Sequence, residues 1–146
     1  MELLGRNSVP LRDLVGRELG AISFREFSVT LDFGMPYLVA YSSIYVQPVP
    51  ETLLGPGDPG WRDALCNCIG DRAEYVELQL GEAIWIFLTS GAVLSVSLRP
   101  DEDDPPLAAL LAHNGGVTVF EFGPALPRDT AIHNLEWLLR NSVLEE

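Results

Sequence analysis

Cys66 and Cys68 are the first residues in this chain that could hold a metal. Thiolates bind zinc in pairs with two to four residues between the ligands, and a structural site needs a second pair elsewhere. Only Asn67 separates these two. On a helix their side chains would point about 200° apart, too far round for one ion. His113 and His133 could complete a set only if folding brought them there. Two ordinary helix cysteines are expected, at least one packed inside. The acidic run Asp101-Glu102-Asp103-Asp104 opens like a calcium loop but continues with Pro105 and Pro106, where such a loop needs a ligand and then glycine. It is read as a solvated loop that caps a helix.

Other chemistries find less support. The chain has no G-x-S-x-G elbow and no H-E-x-x-H pair. Its glycine-rich loop, residues 55–60, carries two prolines and no Lys-Ser/Thr, so it is poorly made to cradle phosphate. His113 and His133 each fall near an expected helix end and read as surface or capping residues. No catalytic, cofactor-binding or metal-binding residue is assigned. That tilts the reading away from an enzyme without closing it. Tyr37, Tyr41, Tyr45 and Trp61 lie in or beside expected loops and edges. Tyrosine and tryptophan are enriched at protein interfaces, although core filling accounts for these four equally well.

The charge narrows the partners. The 146 residues carry 21 acidic and 9 basic side chains, a net charge of -12. All the basic residues are arginine and they are scattered, so neither a nucleic acid nor an anionic membrane is an expected partner. A basic protein would be steered inward. The absence of lysine fits a GC-rich bacterial genome. The start, MELLGRNS, lacks a charged lead and an apolar core, and no apolar run approaches the ~20 residues of a membrane span. A cytoplasmic location and reduced cysteines are expected.

The elements that would position these residues form one domain, residues 1–146. Strands are expected over residues 17–24, 27–33, 37–42, 73–80 and 117–122. In residues 27–33 apolar and polar side chains alternate strictly, and in residues 73–80 Val76, Leu78 and Leu80 share one face and Tyr75, Glu77 and Gln79 the other. Residues 44–46 would extend the third strand beyond a bend. The segment 82–100 reads as a hairpin around Ser90-Gly91, with Phe87 facing Leu94 and Trp85 facing Val96. A loop one residue longer would swap its faces. Both faces are apolar, so the hairpin should lie mid-sheet, covered at least in part on both sides. A short helical turn opened by Pro10 is expected, then a loop over residues 48–60 leading into a helix with Asp58 as N-cap, Pro59 at its first position, Gly70 just past its end and Trp61, Leu65 and Ile69 as its apolar stripe. A helix through Leu107, Leu110 and Leu111, stopped by Asn114-Gly115-Gly116, follows, and a last helix, capped by Asp129, carries Ile132, Leu135, Leu139 and Val143. The fold class is therefore α+β: a mainly antiparallel sheet of six or seven strands in two meander-like halves, with three or four helices packed on it. The halves hint at an internal repeat.

The triplet Leu14-Val15-Gly16, the strand end Leu31-Asp32-Phe33, and Ile86-Phe87-Leu88-Thr89-Ser90-Gly91 followed by Leu94-Ser95-Val96 carry a resemblance. In these the chain resembles small uncharacterised bacterial proteins, some associated with toxin-immunity systems. The resemblance implies a role in binding another protein and assigns no functional residue. Two functions are carried forward. One is a non-catalytic protein that binds a protein partner, in its concrete form an acidic immunity-type inhibitor. Its contact surface would be Asp101, Glu102, Asp103 and Asp104 with Tyr41, Tyr45 and Trp61. The alternative is a small-ligand binding protein or enzyme, with Trp61, Trp85, His113 and His133 lining a pocket between sheet and helices. A homodimer through a sheet edge is a third arrangement.

Overall fold

A computed structural model describes residues 9–99, 107–113, 116–124 and 126–130. They fold into two antiparallel sheets, not one. The first sheet contains β1 (Ala21–Phe24), β2 (Val29–Asp32), β3 (Tyr37–Ala40), β9 (Ala109–His113), β10 (Gly116–Phe120) and β11 (Arg128–Thr130), in the order β1-β2-β3-β9-β10-β11. The second contains β4 (Ile44–Val49), β5 (Thr52–Leu54), β6 (Ala73–Gln79), β7 (Ala83–Leu88) and β8 (Val93–Ser97), in the order β5-β4-β8-β7-β6. The helices described are α1 (Val9–Arg12) and α2 (Trp61–Cys66), of four and six residues. The expectation of a single sheet carrying three or four helices is therefore wrong: the fold is mostly antiparallel β.

The two expected meanders exist, β1-β2-β3 and β6-β7-β8. They sit in different sheets, and each is completed by strands from the other half of the chain. β4 leaves the first meander and pairs with β8; β9 leaves the second and pairs with β3. The two crossings touch: the Tyr41 and Ser42 N–H groups both donate to the Ala108 carbonyl, and the Ser42 hydroxyl donates to the Ser97 carbonyl at 2.7 Å. One core joins the sheets, with Leu31, Leu38 and Leu111 from the first and Ile44, Ile86 and Leu94 from the second.

Three local readings change with this topology. Residues 109–113 form strand β9, not a helix. Leu111 enters the shared core while Leu110 joins Val117 and Val119 in a separate cluster on the reverse face. A short unbroken apolar run has no period of its own, and two flanking strands decide its state. His113 pairs with Gly116 across Asn114-Gly115, a strong hairpin dipeptide that was read as a helix stop. The segment 48–60, read as loop, holds the end of β4 and all of β5. Pro48 falls where the β4–β5 register shifts, a place that tolerates its missing donor. Helix α2 has Gly60, at φ 85°, as its N-cap, with no side-chain cap. Asp58 instead closes the preceding turn, its carboxylate accepting from the Gly55 N–H at 2.8 Å. Ile69, assigned to the apolar stripe of that helix, lies beyond its end and is exposed. The last expected helix, through Ile132, Leu135, Leu139 and Val143, lies outside the described residues. Asp129, its expected cap, has its backbone in β11 opposite Thr118.

Among the described residues no helix is long and apolar enough to cross a membrane.

Candidate binding surface

The β7–β8 hairpin does lie inside its sheet, but its register is one residue off the expected one. Gly91, at φ 98°, closes a three-residue loop: its N–H donates to the Leu88 carbonyl, and the Leu88 N–H to the Ala92 carbonyl. Phe87 consequently faces Val93, and Trp85 faces Ser95. Ile84, Ile86, Leu88, Leu94 and Val96 turn to the core and are buried. Trp85, Phe87 and Val93 turn the other way and are half-buried. The hairpin is thus covered fully on one face only. The strands buried on both faces are β9 and β10.

Cross-strand register assembles an aromatic surface on this outer face. One row runs Tyr45, Ser95, Trp85, Glu77 across β4, β8, β7 and β6; the next runs Gln47, Val93, Phe87, Tyr75. A bulge at Glu74 allows this, because it turns Ala73 into the core while Tyr75 points out, 55% exposed. Tyr75 and Phe87 pack with ring centroids 5.5 Å apart. The Trp85 indole N–H donates to Gln79 Oε1 at 3.0 Å, and the Gln79 amide donates to Glu77 Oε2 at 3.0 Å. Gly55 lies so close to the Tyr45 ring that a Cβ there would sit 2.7 Å from it. A shallow cleft of about 250 Å³ opens between Tyr45, Leu53 and Trp85, with the Glu82–Arg99 ion pair at its rim. Two carboxylates belong to this face: Glu77 stands beside Trp85 in the first row, and Glu82 lines the cleft. Its chemistry is burial of flat apolar area plus hydrogen bonding, and mutually exposed charges such as Glu82–Arg99 contribute little to stability.

A larger cleft of about 470 Å³ shares no lining residue with the first. It lies where the chain passes from β3 to β4, and Phe24, Arg25, Glu26, Tyr41, Trp61 and Arg62 line it. Trp61 is held by its indole N–H, which donates to the Ile44 carbonyl at 2.8 Å. Phe24 meets Trp61 edge-on at 5.9 Å, and the Arg62 guanidinium rests 4.5 Å from the Phe24 ring centroid. No family model matches the chain, and neither the curated proteins nor the solved structures give a match.

The residues singled out from the sequence divide between these places. Tyr45 and Trp85 lie on the aromatic face; Tyr41 and Trp61 line the larger cleft. Asp101, Glu102, Asp103, Asp104 and His133 lie outside the described residues. His113 lines neither cleft; its Nε2 is 3.0 Å from the Thr118 hydroxyl on the neighbouring strand. Cys66 is exposed and Cys68 buried, the Cys68 thiol donating to the Ala64 carbonyl at 3.5 Å. Among the described residues no group of three His, Cys, Asp or Glu side chains is placed to hold a metal. Phe87, Tyr75, Arg25 and Arg62 were not singled out. The alternation of Tyr75, Glu77 and Gln79 already marked one outward face. Adding Phe87 and Trp85 to it required the hairpin register.

Proposed function

We propose that this protein acts by binding a basic protein partner through the outer face of the five-stranded sheet. The immunity-type inhibitor is the concrete form of this reading, with the cytoplasm as its compartment. The observation that carries it is the aromatic set Tyr45, Trp85, Phe87 and Tyr75, brought side by side on the outer face of the sheet, with Tyr75 exposed and the other three half-buried. Exposed apolar patches of this kind mark interaction sites, and aromatic anchors dominate binding energy. Glu77 and Glu82 beside the patch, and the net charge of -12, favour a cationic partner and fast, salt-sensitive association.

The test compares wild type with Trp85→Ala and Phe87→Glu, each first confirmed folded by circular dichroism. The captured partner is identified, purified and titrated against all three. The reading expects a basic partner whose affinity falls about thirtyfold or more in each variant and whose association slows as salt is raised. A partner that binds both variants as tightly as wild type would overturn it. So would light scattering that shows this face occupied by a second copy, with Phe87→Glu restoring the monomer.

A further inference from the structure

We propose that the cleft at the β3–β4 crossing binds a carboxylate carried on a flat apolar body. This inference does not depend on the partner-binding reading, because the two surfaces share no lining residue. Arginine is scarce here, nine residues against 21 acids, yet Arg25 and Arg62 border one cleft. Arg99 has found a carboxylate, Glu82, at 2.8 Å. Among the described residues, neither Arg25 nor Arg62 is ion-paired. Arg62 is nevertheless placed: its guanidinium lies against Phe24, Phe24 packs on Trp61, and Trp61 is tied to the Ile44 carbonyl. Stacking on an aromatic ring leaves the planar fork of N–H groups available, and that fork matches a carboxylate with two parallel hydrogen bonds. The aromatic pair beside it, with Val29, Ala40 and Ile44 in the cleft wall, offers a surface for a flat apolar group.

Glu26 also lines the cleft and opposes an anion. It therefore supplies a test that a purely structural role for the arginines would not pass.

The probe is phenylacetate, followed at the Trp61 indole N–H in ¹H–¹⁵N spectra. Saturable shifts are expected at Trp61, with benzyl alcohol, its uncharged relative, binding about tenfold more weakly or not at all. Arg62→Gln and Arg25→Gln should each weaken phenylacetate about tenfold while circular dichroism shows each still folded, and Glu26→Gln should strengthen it. A tripeptide ending in phenylalanine, as free acid and as amide, separates the sources. Tighter binding of the acid alone identifies a peptide C-terminus, and preference for phenylacetate identifies a free aryl acid. No saturable shift with either acid, or equal affinity in wild type and Arg62→Gln, overturns the proposal.

Discussion

Tyr45 keeps its place on the aromatic face because residue 55 is a glycine. No positive φ is involved; the constraint is contact, since a Cβ on Gly55 would lie 2.7 and 2.9 Å from two ring carbons of Tyr45. Gly55→Ala should lower stability by about 1–3 kcal/mol, because the ring must move and its packing with it. The same change should cost little in a Tyr45→Ala background, a coupling that a double-mutant cycle in denaturant reads directly. A second residue-scale outcome concerns Cys68. Burial pushes its thiol from 9.0 to about 11, with further upward push from Asp71 and Cys66. The folded protein thus favours the neutral thiol. Its contribution is fully present below pH 9.0 and is lost as pH rises through about 11. Unfolding midpoints should fall over that window more steeply in wild type than in Cys68→Ala. At neutral pH a thiol reagent should label Cys66 quickly and Cys68 only on unfolding.

At the scale of elements, the β7–β8 hairpin decides which residues hold the molecule together and which face outward. Its three-residue loop puts Ile86 opposite Leu94 and Phe87 opposite Val93. Ile86→Asp should therefore bury an unpaired carboxylate and cost more than about 4 kcal/mol, enough to unfold a domain of ordinary stability. Phe87→Asp should cost about 1–2 kcal/mol, since its side chain is only half-buried. Melting followed by circular dichroism separates the two; the reverse ranking would require the other register. The strand β9 gives the companion lesson. Its run Ala109–His113 shows no alternation, because neighbours bury both its faces. The helix expected there rested on Leu107, Leu110 and Leu111, whose spacing fits a helix and a doubly buried strand equally well.

The whole molecule is held by an exchange. Each meander is extended by strands from the other half, and side chains from both sheets share one core. A chain cut after Gly70, where α2 and its following turns end, separates β1 to β5 from β6 to β11. Neither fragment can complete a sheet: the first lacks β9 beside β3, and the second lacks β4 beside β8. Each should be largely unfolded alone, and an equimolar mixture should regain the β-sheet circular dichroism and cooperative melting of the intact chain. Independent folding of either fragment would show that the exchanged strands are dispensable.

The sequence by itself determined what depends on near neighbours. Alternation over residues 27–33 specified β2 and its buried Leu31, the pattern of Val76 and Leu78 specified β6, and Gly91 marked the central turn. It also marked Cys68 or its neighbour as packed, and Tyr45 as a surface candidate. Only the tertiary structure decided that the meanders occupy different sheets and that residues 109–113 form a strand. It alone set Trp85 and Phe87 on the open face. Those outcomes depend on which distant strand lies alongside. The energy that selects one is burial between residues up to about half the chain apart, as where Leu38 meets Leu111 and Ile44 meets Val96, and no local period encodes such a pairing.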